Sequence, residues 1–445
     1  METIPGRSFS GSACAGAGVA ATAHAPKLKV GARQHPLDGI SREKIKITDV
    51  KVTLLSAEIP PERHWFNART IVWKSDAVLV QVFTDKGIVG IGEASPYGGP
   101  VEMKKFAEEH LNPVLIGQNP FDVEFLACGG VGSRGVEGRR VYDNSGRAVW
   151  AGVDAALWDI IGKARNVPVY RLLATDDEPT AVIRLYASGG DEYAWYKRPE
   201  ALIDEALRVK EAGYTAYKFR LGTDWKASGI TVQKYIPLLV KLRQAVGPNF
   251  DLMQESNMRL TFEQCLELAP VLEELRFLWF EEPCSAFGED AIEDHVKIGK
   301  AMLHVMIAGG EGLSNRFEFK EWIDRGAYDI VQPDCNYAGV TESWHVARMA
   351  HLGRKACCPH NWHGGLTIMA NAALVAAIPN RLMLEHNVTY SHLREGLFKD
   401  PLVAKRGYME LSNKPGYGVE VIPDIARKFP YIPGPFHRPN PELPM

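Results

Sequence analysis

Glu255, Glu281 and Glu311 each end a short apolar run in the second half of the chain, and Asp334, His360 and Glu385 follow in the same rhythm. The gaps between successive members are 26, 30, 23, 26 and 25 residues. Hard divalent cations take oxygen ligands, and Mg²⁺ is commonly held by carboxylates together with water and substrate oxygens. Glu255, Glu281 and Glu311 therefore form a candidate metal site built from three successive elements. Singly, each reads as well as the first polar residue of a loop or a helix cap; the shared register is what joins them. Within Glu281-Glu282-Pro283, strand alternation lets only one acid face inward, and the sequence alone does not choose between them.

His360 follows Cys358-Pro359 and Asp334 follows Gln332-Pro333, so both stand at the ends of short apolar runs. A carboxylate beside an imidazole fixes its tautomer and raises its basicity, which is what a general base requires. A lone histidine is more often structural; the aspartate one repeat upstream is what favours a dyad. His363 and His386 lie nearby and are expected to be pocket walls. Lys218 and Arg220 flank Phe219, so in a strand both face the same way. Two inward cations suit a substrate carboxylate or a developing oxyanion. Their alternative is a salt bridge to the acids just named.

The elements that would position these groups follow from the repeat. A period of roughly 25 to 30 residues is what one strand and one helix consume in a β/α barrel of about 250 residues, whose active site gathers at the carboxyl ends of the strands. Strand ends are expected near Ser188, Arg220, Glu255, Glu281, Ala308, Asp334, Pro359 and Glu385. Helices are expected over 199–212, 232–246, 261–274, 291–302, 316–325, 340–352 and 366–378. Before the barrel, 46–56, 76–85 and 89–93 read as antiparallel strands, and 146–163 as a helix with apolar residues at helical spacing, stopped by Asn166-Val167-Pro168. After Glu385, Pro415 to Val421 suggests a turn and a returning strand, and the proline-rich tail from Phe429 is expected to be extended. The expected divisions are a leader or disordered tail at 1–44, an α+β capping domain at 45–170, the barrel at 171–400 and a C-terminal segment returning to the cap at 401–445.

Composition excludes several classes. Of 445 residues, 46% are apolar and 24% charged, with a formal charge of -3, so no strong field draws nucleic acid. No apolar run approaches the length of a membrane-spanning helix, about 18 residues or more. Seven cysteines without zinc-like spacing read as buried free thiols. Residues 5–25 are rich in small residues and end in Ala23-His24-Ala25, while Gly6-Arg7-Ser8-Phe9 resembles a twin-arginine signal lacking one arginine. A working leader would send the protein to the periplasm; otherwise it is cytoplasmic.

From about 45 to 422 the chain resembles the enolase superfamily, specifically its mandelate racemase subgroup. The resemblance is carried by the ALWDIIGK helix, the Lys218-Phe219-Arg220 strand, LMQESN, FEEP, GGE, QPD, PH, the Leu384-Glu385 pair and PGYGVEV. None of these motifs is specific alone; their order and spacing across eight strands are. The resemblance implies an α/β fold, a modified TIM (β/α) barrel with an N-terminal α+β capping domain, and a homo-oligomer. It implies Mg²⁺ on Glu255, Glu281 and Glu311, a His360–Asp334 base dyad, Glu385 bonded to the substrate carboxylate or enolate, and Asn257 touching substrate. It implies removal of the proton α to a carboxylate, with the metal stabilising the enediolate.

Two positions depart from the family pattern: the first ligand is glutamate rather than aspartate, and the second basic position is Arg220. Arginine stays protonated, with a pKa above about 12, and makes a poor second base. Lys218 would be a base only if its pKa were depressed. One competent base suits stereospecific dehydration of an acid sugar, an aldonate or aldarate; which of His360 and Lys218 takes the proton stays open. A racemase, epimerase or cycloisomerase shares the same enolate step, and a non-catalytic sugar-acid-binding relative is the alternative outside catalysis. Loops near 60–72 and 95–100 are expected to close over the mouth, with Arg63, His64, Trp65 and Asn67 available to hold a polyhydroxy chain.

Overall fold

The computed structural model describes residues 33–67, 69–96, 99–127, 145–176, 178–220, 224–362, 364–400 and 402–443. Most of the leader-like stretch, the tip of the 95–100 loop and His363 lie outside these residues.

The capping domain begins with β1 (Ile47–Glu58). Two short strands follow, β2 (Trp65–Asn67) and β3 (Thr70–Val72), then β4 (Lys74–Thr84) and β5 (Val89–Ala94). β1, β4 and β5 form an antiparallel sheet. The helix Ser145–Arg165 lies across it so closely that a Cβ at Gly92 would collide with the Gly152 carbonyl. Only glycine permits that approach.

The barrel strands are β6 (Val182–Gly189), β7 (Ala216–Phe219), β8 (Asp251–Glu255), β9 (Trp279–Glu281), β10 (Met306–Gly309), β11 (Ile330–Val331), β12 (Ala356–Cys357) and β13 (Leu384–Asn387). They run in the order β12-β11-β10-β9-β8-β7-β6-β13, each parallel to its neighbour. The two ends meet just before β13: Cys357 N donates to Asn380 O at 2.9 Å, and Leu382 N donates to Cys357 O at 3.2 Å. Every expected barrel helix is present within a residue or two of its bounds, for example Val232–Val246 and Gly365–Ala377.

The barrel interior follows the period-two rule. Tyr186, Ala216, Met253, Trp279, Ile330 and Met383 point inward and pack on one another. This apolar layer is the floor on which the polar layer rests. Intervening residues such as Tyr217, Phe219, Leu252 and Phe280 face the helices in the outer core.

Three features differ from the sequence reading. Residues 33–44 are folded onto the body: Arg33 is buried, bonding to the Ala174 carbonyl, and Leu37 and Ile40 pack on the core. His35 Nδ1 accepts from Leu37 N at 3.2 Å, so its other nitrogen is the donor to Glu124 at 3.0 Å. Pro415 to Val421 is not a strand. Gly416 presses on the Ser145–Arg165 helix at Asp159, and Tyr417 N donates to Asp159 at 2.9 Å. The pairing strands of the C-terminal segment are instead β14 (Tyr408–Glu410), antiparallel to β6, and β15 (His437–Pro439), antiparallel to β3.

Candidate active site

Two residues beyond the apolar layer, the same inward positions become polar: Lys218, Glu255, Glu281, Gln332 and Glu385. The switch falls at the strand ends, so a single register places all of these groups on one floor. Glu255 and Glu281 are direct neighbours across β8 and β9. Glu311 lies off this alternation, and Gly310, at φ 110, turns the chain just before it. A side chain at Gly310 would also strike the Phe319 ring.

Lys218 Nζ lies among three carboxylates, paired with Glu281, 2.9 Å from Glu385 Oε1 and 3.3 Å from Glu255 Oε2. Burial alone would lower its pKa, but Glu255, Glu281 and Glu385 raise it well above the usual lysine value. The condition for Lys218 as a base, a depressed pKa, is not met while these three carboxylates carry their charge beside it. Arg220 bonds Glu255 at 3.3 Å and Asp191 at 3.4 Å, with its guanidinium 5.3 Å over the Trp362 ring. Both cations face the interior, and both make the ion pairs to the acids that the sequence held as their alternative role.

Glu281 is inward, accepting from Trp279 Nε1 at 2.9 Å and Gln332 Nε2 at 2.7 Å. Burial, with Glu255 and Glu385 nearby, pushes it up to about 7 against the pull of Lys218. Glu282 is buried as well, although alternation allows only one inward acid. A φ of 39 swings it out of strand geometry, and its Oε2 has no hydrogen-bond partner among the described residues. Burial and the Glu311 charge raise its pKa well above the usual value.

His360 Nδ1 lies 2.7 Å from Asp334 Oδ2, and His360 Nε2 lies 3.2 Å from Glu311 Oε2. The aspartate holds the proton on Nδ1 and leaves Nε2 facing the carboxylates. Burial alone would lower this imidazole; Glu311 and Asp334 raise it well above its ordinary value. Glu385 is held down to about 2: burial pushes it up, but Lys218, His360, Ser188 and the Asn361 amide outweigh that.

Sequence reasoning missed the asparagines behind these groups. Asn371 Nδ2 donates to Asp334 Oδ1 at 3.2 Å and to the His360 carbonyl at 2.9 Å, while its oxygen accepts from Cys335 N at 3.0 Å. Asn361 N donates to Glu385 Oε2 at 2.6 Å. A signal existed: every residue of Gly365–Ala377 is buried, so an asparagine in that apolar helix must find polar partners. Asp191, just past the end of β6, carried the same strand-end signal as the chosen acids.

Above the carboxylates lies a cavity of about 470 Å³, lined by Glu255, Glu311, His360, Arg220, Asn257 and Trp65 among others. Asn67 reaches it too, but Arg63 and His64 do not line it. Arg63 sits in the turn Pro61–Arg63 and pairs with Glu192 at 3.1 Å, and His64 Nε2 bonds the Ile59 carbonyl at 3.0 Å. The chain only begins to alternate at Trp65, where β2 starts, so the two preceding side chains are spent on the loop itself. His386 is not a wall either. With Glu385 inward, alternation turns His386 outward, where its Nδ1 lies 2.6 Å from the Tyr214 hydroxyl.

One ligand atom from each of Glu255, Glu281 and Glu311 lies within 4.8 Å of the others. Three hard oxygen donors, two of them buried and the third partly so, with the unpartnered Oε2 of Glu282 nearby, have the chemistry a Mg²⁺ ion requires.

Residues 201–425 match the model of the enolase C-terminal domain-like family, and residues 50–174 match that of the mandelate racemase / muconate lactonizing enzyme N-terminal domain. Among named relatives, arabinonate dehydratase of Saccharolobus solfataricus is 29% identical over 80% of this chain and 90% of its own length. D-galactarolactone cycloisomerase of Agrobacterium fabrum is 27% identical over 86% of this chain and 99% of its own. The crystal structure of an enolase superfamily member from Polaromonas sp. JS666 superposes with a TM-score of 0.76 at 29% identity, covering 88% of this chain and 99% of that one. The strand-end carboxylates, the cap and both matched domains together place this chain in the enolase superfamily, in its mandelate racemase subgroup.

Proposed function

We propose that the protein is a Mg²⁺-dependent hydro-lyase that converts an acid sugar, an aldonate or aldarate, to its 2-keto-3-deoxy product. The observation that carries this is the asymmetry of the site: one imidazole oriented by a carboxylate, His360 on Asp334, stands opposite Arg220, which stays a cation, and Lys218, which keeps Glu385 as a counter-ion at 2.9 Å. The arabinonate dehydratase relative supports the same reading.

Glu255, Glu281 and Glu311 would hold the metal, which when bound stabilises negative charge developing on the substrate carboxylate. With Glu311 committed to the metal, its charge would no longer raise His360, and the neutral Nε2 takes the α-proton while Asp334 keeps Nδ1 protonated and the ring in place. Arg220 and Lys218 supply fixed positive charge to the resulting enediolate oxygens. Protonated His360 then returns its proton to the β-hydroxyl as the C–O bond breaks. Water leaves, and the enol tautomerises to the 2-keto acid. Trp65 and Trp362 wall the cavity, limiting water at the reacting carbons.

The test is proton NMR of pooled aldonates and aldarates with the protein and Mg²⁺ in D₂O. New deoxy methylene signals are expected and would identify the substrate. Loss of the α-proton signal without deoxygenation would overturn dehydration in favour of racemisation or epimerisation. Conversion of an aldarolactone without release of water would favour the cycloisomerase relative's reaction.

A further inference from the structure

We propose that the C-terminal strand β15 is a wall of the substrate cavity, where Phe436 and His437 select the acid sugar by the length of its chain. That the ligand is an acid sugar rests on the function proposed above; the position of the strand does not.

The cavity over Glu255, Glu311 and His360 is lined on its outer side by Phe436 and His437, more than 70 residues beyond Trp362, the preceding lining residue in sequence. β15 reaches that position by pairing antiparallel with β3, His437 opposite Val72 and Pro439 opposite Thr70. β2, β3 and β15 thus make one three-stranded lid sheet, with the C-terminus as an edge strand. Proline is tolerated on such an edge because one of its rows of backbone donors pairs with nothing.

The strand is fixed on both sides of the two residues. Before them, Trp73 N donates to Phe436 O and Trp73 Nε1 to Pro435 O, each at 3.1 Å. After them, Asn440 is buried, donating from N to Arg69 O at 2.8 Å and from Nδ2 to the Tyr196 hydroxyl at 3.0 Å. Glu442 then accepts from Tyr196 and Lys197, each at 2.6 Å. A tail with no role at the cavity would not require this much anchoring around an exposed histidine. Phe436 packs with Trp65 and Trp362 into an apolar wall, while His437 stays exposed at the rim. Aromatic faces with one or two polar groups are what a pocket offers a small ligand whose orientation it must fix. An aromatic ring covers the C–H face of a polyol, and an imidazole at the rim meets its distal hydroxyl or carboxylate.

The experiment compares the full-length protein with Phe436→Ala and His437→Ala. The second variant removes an exposed side chain and leaves the buried anchors intact. With Mg²⁺, kcat and KM are measured on aldonates and aldarates of increasing chain length. The expected result is KM raised about tenfold on the preferred substrate, kcat within about threefold, and preference shifted to longer chains. Unchanged KM and unchanged chain-length order in both variants would overturn the proposal. A second readout does not depend on the reaction. Met258 is partly buried and lines the same cavity, so Met258→Cys is reacted with a bulky maleimide in the presence and absence of each tail substitution, against the background of the parent protein. Labelling accelerated by roughly fivefold in either tail variant supports the wall, since a lid element limits access to what lies beneath; equal rates overturn it. Should the wild type turn over no acid sugar, the dehydratase reading falls, and the labelling rates alone decide whether β15 is a wall.

Discussion

The side-chain amide of Asn371 reaches Asp334 Oδ1 at 3.2 Å, and the same nitrogen lies 2.9 Å from the carbonyl of His360. One buried asparagine therefore sets the spacing between the two members of the dyad, from a helix that contributes nothing else to the cavity floor.

Asn371→Leu is expected to lower kcat by about a hundredfold, because a misplacement on the order of 1 Å at a reacting group has that effect. It leaves Cys335 N and the Asp334 carboxylate with fewer partners, which costs about 1–3 kcal/mol of stability. Mg²⁺ affinity should stay within about twofold, since Glu255, Glu281 and Glu311 sit on other strands. Turnover, denaturant unfolding and Mg²⁺ titration separate these effects. A variant with normal kcat would show that Asn371 only fills the core.

Mg²⁺ is expected to stabilise the protein in proportion to its occupancy. A ligand at about a hundredfold its Kd adds roughly 2.7 kcal/mol to unfolding, read as a rise in Tm. Glu281→Gln should abolish the rise, because Glu281 is a member of the carboxylate triad and also the ion-pair partner of Lys218. EDTA should remove activity and Mg²⁺ restore it. A Tm rise that persists in Glu281→Gln would move the site elsewhere.

Much of this arrangement was legible in the sequence because its cause is periodic. Inward groups repeat at the barrel period and alternate along each strand, so Met253 and Glu255, or Trp279 and Glu281, announce a floor and a polar layer above it. What broke the period was not legible. Glu311 depends on the left-handed turn at Gly310, and Glu282 is buried by a φ of 39 that alternation does not foresee. Arg63 and His64 looked available because a loop's composition does not say which side chains the loop uses to hold itself. β15 was hidden for another reason: its partner β3 is distant in sequence, and edge pairing by a proline-rich segment leaves no hydrophobic pattern.

Arg220→Lys tests whether the second basic position limits the reaction. Arg220 is held by Asp191 and Glu255 and stays a cation; burial works against this and the two carboxylates outweigh it. Lysine would keep the charge but lose the planar contact with Trp362 and the two-carboxylate fork. Dehydration is expected to fall by about tenfold to a hundredfold. Slow deuterium exchange at the α-carbon of unreacted substrate should appear only if the new lysine loses its proton. Exchange in the wild type at the rate of dehydration, with inversion of the substrate, would mean that a second base already operates and that Arg220 is not the limiting feature.

His386 gives a pH signature separate from the reaction. Burial, then the Arg394 charge, lowers its pKa to about 4 from an ordinary 6.5. It is therefore neutral in the fold, accepting from Tyr214 and stacked on its ring at 5.9 Å. Between pH 4 and 6.5 the unfolded chain binds the proton and the folded chain does not, so stability falls as pH drops through that window. At 1.36 kcal/mol per pH unit the full effect is on the order of 3 kcal/mol. Asp154 and Glu205, both raised to about 7 by burial, act in the opposite sense, so the signature must be read as a difference between variants. His386→Phe keeps the stacking and removes the titration. Its stability, followed by urea unfolding from pH 7 to pH 4, should decline less steeply than the wild type's by that amount, after a pH-independent offset of about 1 kcal/mol for the lost hydrogen bond. Parallel curves would show that His386 takes up its proton in the folded state as readily as in the unfolded one.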